Sequence, residues 1–293
     1  MAHCGRITPA MKRRAFFILM ALGVPAFAAP TPGQSSPDYI LLNKPDAAET
    51  RRIIEQFQGA GIAGEYFLTF ELHILPRRGD ERVLAGKMWG GRNEQGAITR
   101  VVVVDETGKE HRWLLQNGPQ AAAWSFNDGK ITQVSSEALF SPLVTGVDIA
   151  AFDLLMPFVY WPDYALENVV RLRGRPTHVF LFRPPAGFAV QLAGISGVRV
   201  YLDTQFNAPV QTELVNREGV TVKTLSLMEL KRVENQPMIK SIDVRNEATR
   251  DKTRFQVTGA ALGLELPPSV FAPASLAEDL KSPPPERITR FDR

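Results

Sequence analysis

Between residues 66 and 74 the chain alternates: Tyr66, Leu68, Phe70, Leu72 and Ile74 interleave with Phe67, Thr69, Glu71 and His73. A period of two belongs to a strand that turns one face to a core, and it excludes a helix over the same residues. Shorter stretches of strand character follow at 82–89, 98–104, 111–116, 121–126 and 130–134. They are joined by Glu94-Gln95-Gly96, Glu106-Thr107-Gly108-Lys109, Asn117-Gly118-Pro119 and Asn127-Asp128-Gly129, where glycine or Asp-Gly supplies the positive φ of a tight turn. Connections this short admit antiparallel neighbours only, because a parallel pair needs a long crossover. The pattern resumes at 177–182, 197–203, 210–215, 220–231, 238–245 and 254–258, with Arg217-Glu218-Gly219 marking a late hairpin.

Two segments interrupt the meander. From 45 to 57 the spacing turns helical: Asp46 and Glu49 form a capping-box pair, Ile53, Ile54 and Phe57 share one face, and Gly59 with Gly61 ends the helix. From 147 to 173 the alternation stops. Here Asp148 is expected to cap a segment in which Ile149, Phe152, Leu155 and Met156 recur at helical spacing until Pro157 breaks it. Phe158-Val159-Tyr160-Trp161-Pro162 then crowds three aromatics where a helix cannot continue. No composition break or internal repeat divides the chain, so one β-rich domain is expected, with a helix before the sheet and a helical insertion in its middle.

The first residues read as an export signal: basic Lys12, Arg13 and Arg14, an apolar run over 15–24, then small Ala26 and Ala28 after Pro25. That run is about half of the roughly 20 residues a membrane-spanning helix requires. Cleavage is expected near Ala28, leaving a periplasmic protein, and it removes Cys4, so disulfides, thiolate nucleophiles and cysteine metal sites are excluded from the mature chain. It also removes 4 of the 34 basic side chains and no acidic one, leaving 30 against 31. A chain so close to neutral lacks the charge excess that drives nucleic-acid binding. Residues 29–45 are expected to be a flexible leader, 46–280 the folded domain, and 281–293, with Pro283 to Pro285, an unpacked tail.

Catalytic chemistry is hard to place. His73, His111 and His178 are the histidines beyond the leader, all inside strand patterns, and no Gly-x-Ser-x-Gly elbow accompanies them. No histidine pair stands at metal-ligand spacing, and Gly90-Gly91 lacks the Gly-Lys-Ser/Thr of a phosphate loop. Asp148 and Asp153, five apart, fall on different faces of a helix, which weakens a carboxylate-pair hydrolase. Neither cofactor nor metal is expected, and the chain reads as a binding protein rather than an enzyme. The dense charges from Asp243 to Arg254 fit a solvated connection with local ion pairs, or else a rim that touches a partner.

The unusual material is apolar. Phe152, Leu155, Met156, Phe158, Tyr160 and Trp161 stand where helix ends and turns are ordinarily polar. They plug a core beneath the sheet, or they form a lid over a greasy cavity. One short helix and one insertion are thin cover for so many strands, so the sheet either rolls up and fills itself or leaves room for a ligand.

The order of signal, helix, meander, insertion and late strands resembles the LolA-like family of periplasmic outer-membrane lipoprotein-sorting proteins. The local echoes are Asp153-Leu154-Leu155-Met156-Pro157-Phe158 with Tyr160-Trp161, Val198-Arg199-Val200-Tyr201-Leu202-Asp203, and Lys252-Thr253-Arg254-Phe255 followed by Leu264-Glu265-Leu266-Pro267 and Phe271. The resemblance implies an α+β fold, a large antiparallel sheet forming an incomplete (half) barrel covered by the N-terminal helix and the insertion. It implies a monomeric carrier of lipid or lipoprotein acyl chains. Phe152, Leu155, Met156, Phe158, Tyr160 and Trp161 would then serve as lid or cavity contacts, and Tyr66, Phe70, Trp89 and Trp113 as wall residues. The same fold also suits a periplasmic sensor or interaction module that recognises an inner- or outer-membrane protein, for which Arg245, Arg250, Lys252 and Arg254 are the candidate contacts.

Overall fold

The computed structural model describes residues 44–186, 188 and 194–291; the expected signal with Cys4, and nearly all of the expected leader, lie outside the described residues. Helix α1 (Ala47–Gly59) begins as its spacing predicts, with the Asp46 carboxylate accepting the Glu49 N–H at 2.8 Å. Its buried residues are Ile53, Ile54 and Phe57, the stripe read from the sequence. The meander follows as β1 (Glu65–Leu75), β2 (Arg82–Asn93), β3 (Gly96–Val104), β4 (Glu110–Gln116), β5 (Ala122–Asn127) and β6 (Lys130–Gln133). After an irregular stretch and the short helix α2 (Ala151–Leu155) come β7 (Asp163–Leu172), β8 (Arg175–Arg183), β9 (Ile195–Asp203), β10 (Pro209–Asn216), β11 (Thr221–Val233), β12 (Gln236–Asn246), β13 (Lys252–Leu264) and β14 (Thr289–Arg290).

These strands form one sheet in the order β6-β5-β4-β3-β2-β1-β13-β12-β11-β10-β9-β8-β7, antiparallel throughout, with β14 alongside β13. Its ends, β6 and β7, do not pair, so the sheet is an open antiparallel half-barrel rather than a closed one. Each consecutive hairpin is local. The pairing that reaches furthest along the chain is β1 with β13, and it welds the early strands to the late ones.

The strand register sorts side chains onto two faces. Leu68, Phe70, Leu72 and Ile74 of β1 lie on the inner face with Met88 and Leu84 of β2, Val101 and Val103 of β3 and Trp113 and Leu115 of β4. Phe180 and Phe182 of β8, Val198, Val200 and Leu202 of β9 and Phe255 and Val257 of β13 extend the same core. Two glycines deepen this face. The Tyr66 ring covers Gly90 and the Phe70 ring covers Gly86, so that a Cβ at either position would fall 2.1 or 2.2 Å from a ring carbon.

The structure departs from the sequence reading in three places. Residues 163–172, read as part of the helical insertion, form edge strand β7, whose residues are all exposed or half-buried. With one neighbour and no buried face, that strand carries no period for the sequence to show. The second departure is the C-terminal tail, which is not unpacked. Beyond Ser241 and Gln256, β12 leaves β13, and β14 takes its place against Gly259 and Ala260, while the Phe291 N–H donates to the Thr258 carbonyl at 2.9 Å. An edge left open in mid-sheet would expose unpaired backbone groups, and the tail satisfies them.

The third departure is a second core on the outer face. Phe67, Trp89, Val102 and Ala261 pack against Val270 of the C-terminal segment, and Ile98 and Leu114 pack against Leu276. The polar clamp of this strap is Arg100, which donates to the Ser275 carbonyl at 2.8 Å, the Ser275 hydroxyl at 2.9 Å and the Glu278 carbonyl at 2.5 Å. Burial, followed by the neighbouring charge of Arg112, pushes the Arg100 guanidinium down to about 10, so it stays charged at neutral pH.

Candidate functional site

The inner trough of the sheet has two covers. Helix α1 packs over the late strands, with Phe57 and Phe182 ring centroids 6.4 Å apart. Residues 138–161 cover the rest as three short pieces: a 3-10 turn at Ala138–Phe140, α2, and a second 3-10 turn at Pro157–Tyr160. The two covers touch where Gln58 Nε2 donates to the Val159 carbonyl at 3.1 Å and the Tyr160 hydroxyl donates to the Gln58 carbonyl at 3.4 Å.

The insertion sinks its aromatics into the trough. Phe152 is 0% exposed and stacks on Phe140 at 4.4 Å, with Phe158, Trp161 and Phe188 at 6.0, 6.3 and 6.4 Å. Phe158 in turn meets Phe182 of β8 at 6.2 Å. On the sheet side Phe70 stacks on Phe255 at 4.6 Å. Of the residues singled out from sequence, Phe152, Leu155, Phe158, Trp161, Phe70 and Trp113 are buried in this one core, and Tyr66, Met156 and Tyr160 pack half-buried at its margin. Burial pushes the Tyr66 phenol above its ordinary range. Trp89 does not join them. Directly opposite Phe67 in the register, it points to the outer face, where the two ring centroids stand 5.2 Å apart under the C-terminal strap. A strand residue one position out of phase changes face, which corrects its placement as a wall residue.

The sequence reading also passed over Phe140, Phe180, Phe182, Phe188 and Phe255, which complete the aromatic lining. Phe180 and Phe182 were visible as an alternating pair in β8. Phe140 and Phe188 sit in irregular segments with no period to announce them.

Polar contacts tie the insertion down. Asp153, with its carboxylate buried, accepts the Ala150 N–H at 2.8 Å and an ion pair from Lys223 of β11 at 2.9 Å through one oxygen, while its second oxygen has no hydrogen-bond partner. Asp153 therefore does the capping expected of Asp148. The Asp148 N–H instead donates to the Thr253 hydroxyl at 2.9 Å, because the helix starts two residues later than its spacing suggested. Between α2 and the next turn stands Met156 at φ 47°, ψ 53°. A left-handed conformation disfavours any side chain with a Cβ by roughly 1–2 kcal/mol, so the insertion carries strain at its midpoint.

Burial raises the Asp148 carboxyl above its ordinary range, with the Thr253 hydroxyl offsetting part of the effect. A carboxyl that is harder to ionise when folded binds an extra proton in the native state, between the unfolded pKa near 4 and its own raised value. Stability conferred at this site is thus present in acid and lost as pH rises through that window. Asp148→Asn, which keeps an acceptor for Thr253, is expected to be more stable than the parent at pH 7. The gain should shrink to nothing near pH 3, below the unfolded pKa; urea melts at the two pH values measure it, and a pH-independent difference would refute the assignment.

The charged stretch is largely consumed by itself. Burial alone would raise the Asp243 carboxyl, but Arg254 at 2.6 Å and Lys252 at 3.0 Å hold it below the usual range. Arg245 stands 3.4 Å from Glu247, and Arg250 is exposed in a turn at φ 64°. Nearby on the outer face, Glu71, His73, Val83 and Gln256 line a hollow of about 290 Å³, with His73 bridging Glu81 at 2.7 Å and Glu71 at 3.0 Å. His111 is paired with Asp105 at 2.8 Å, and burial lowers His178. No group of three or more metal-ligating side chains gathers among the described residues.

Comparison with known proteins places the fold. A family model described only as an uncharacterized protein matches residues 157–278, and no curated protein matches. A domain from Vibrio parahaemolyticus described as an outer membrane lipoprotein-sorting protein superposes with a TM-score of 0.64 at 14% identity, covering 78% of this chain and 97% of its own. A DUF1329 family protein from Desulfovibrio piger gives 0.65 at 12% identity, covering 77% and 96%. A LolA superfamily protein from Nitrosomonas europaea gives 0.59 at 13%, covering 76% and 96%. The likeness is one of architecture, and the chain has the LolA-like fold.

Proposed function

We propose that the protein is an exported, periplasmic binding protein for the acyl chains of a lipid or lipoprotein, carried toward the outer membrane, and that residues 138–161 are its lid. The observation that supports this is where the filling of the trough comes from. The aromatics that close the inner face belong to a segment of short helical turns, strained at Met156 and held to the sheet through a few polar contacts such as Asp153–Lys223. The ligand-free protein is then the closed state, its hollow occupied by Phe152, Phe158 and Trp161 in place of a guest. An acyl chain of roughly sixteen carbons gains about 12 kcal/mol on leaving water, enough to offset displacement of such a plug. Because the plug competes with the guest, the guest can also leave, as a carrier requires.

Met156→Asp tests this. The residue is half-buried at the margin of the lining, and aspartate tolerates its left-handed backbone. The variant is expected to keep the sheet's circular dichroism and to bind a fluorescent fatty-acyl probe about tenfold more weakly, the cost of a carboxylate at an apolar contact. A folded parent protein that takes up no probe, and shows no lipid adduct by native mass spectrometry, would end the carrier reading.

A further inference from the structure

The hairpin of β11 and β12 outgrows the sheet. Its pairing with β10 stops at Ser226, and its pairing with β13 stops at Ser241, so the remainder is a two-stranded ribbon. One side of the ribbon folds inward: Val233 and Met238 are buried, and the Lys231 ammonium lies 4.9 Å from the centre of the Phe291 ring. The other side is bare. Leu230 and Ile239 face each other directly across the ladder at 53% and 38% exposure, and Met228, at a bulge two residues before Leu230, is 46% exposed. Half of the large hydrophobic side chains exposed among the described residues thus stand on this one ribbon.

The charges beside them are mostly basic. Arg232 follows Leu230 on the same side of the strand, and Arg173, from the turn between β7 and β8, donates to the Leu227 carbonyl at 3.0 Å and lies 3.9 Å from the Met228 sulfur. Neither arginine forms an ion pair among the described residues, whereas the one cation–carboxylate pair here, Lys240 with Glu229 at 3.1 Å, is internally balanced. Exposed aliphatic side chains with unbalanced arginines at their border match an anionic bilayer surface, where the aliphatics enter the interface and the guanidiniums meet phosphates. A protein partner's apolar patch would leave those arginines without counter-charges.

We propose that this face of the β11–β12 ribbon docks the protein reversibly on a membrane surface rich in anionic lipids. The docking side chains are Met228, Leu230 and Ile239, and Arg173 and Arg232 supply the charge selectivity. The surface lies apart from the aromatic trough, so it does not depend on acyl binding there.

Vesicle flotation tests it. The protein is expected to float with phosphatidylethanolamine vesicles containing about a third phosphatidylglycerol and to stay behind with phosphatidylcholine alone, the difference fading as salt screens the charges. Leu230→Ser with Ile239→Ser should weaken flotation about tenfold, and Arg173→Ser with Arg232→Ser about fivefold per charge. Met156→Asp should float like the parent even if it loses the acyl probe, which separates failure of docking from failure of the carrier reading. As a readout in an otherwise intact surface, an environment-sensitive dye at Ile239→Cys of the mature chain should shift to the blue on anionic vesicles. Flotation unaffected by the ribbon variants, no flotation on either vesicle, or a parent dimer that Leu230→Ser dissociates would each overturn the proposal, the last assigning the patch to a second copy of the chain.

Discussion

Phe152→Asp is expected to cost at least 4 kcal/mol of stability and to lower the urea midpoint sharply, which decides between the core plug and the loose lid that the sequence alone left open for this residue. Removing a buried phenylalanine ring costs about 3–5 kcal/mol through lost transfer energy and the cavity left behind. Here the ring is fully enclosed by Phe140, Phe158, Trp161 and Phe188. The incoming carboxylate adds an unpaired charge next to Asp153, whose ion pair with Lys223 is already occupied. Phe152→Leu, which keeps an apolar side chain, should cost less than half as much. If instead Phe152→Asp melts within 1 kcal/mol of the parent, on the order of an exposed-site change, the insertion spends its time out of the trough. The closed resting state proposed above would then be wrong.

The second large effect concerns the outer face. Arg100→Leu is expected to destabilise by about 3 kcal/mol, since two carbonyls and a hydroxyl lose a charged donor in a buried setting. The residue is 1% exposed and spans Ser275 and Glu278. Losing it should free the strap locally before the sheet melts, so limited proteolysis is expected to cut within 268–278 in the variant and not in the parent. Arg100→Lys should not rescue, because a single ammonium cannot reproduce the fork that reaches both carbonyls. Equal protease resistance in Arg100→Leu and parent would mean that apolar packing of Val270 and Leu276 holds the strap without it.

The strap also shows where reading along the chain loses information. Arg100 lies in a strand between Thr99 and a run of four valines, and an arginine in a strand is ordinarily taken as solvated. Its burial depends on residues about 175 positions away, and nothing near Arg100 in the sequence announces them. Trp89 is a related case: its period was legible, but which phase faces the helices was not. The aromatic insertion was the more legible half of the candidate site, because Phe152, Leu155, Phe158 and Trp161 break the rule that helix ends are polar. Its depth was not legible, and neither was the fact that Asp153 rather than Asp148 anchors it.

What followed from the sequence by itself had local causes and a clear period. The antiparallel meander came from period-two alternation and glycine turns, and α1 from Asp46 and its apolar stripe. What only the tertiary structure decided was which face each strand buries, that β1 closes on β13, that the tail repairs the edge β12 abandons, and that the trough is filled by its own insertion. Those choices depend on contacts between segments far apart in the chain. Local spacing constrains the backbone within a few residues, whereas burial is settled by whichever distant surface arrives to exclude water.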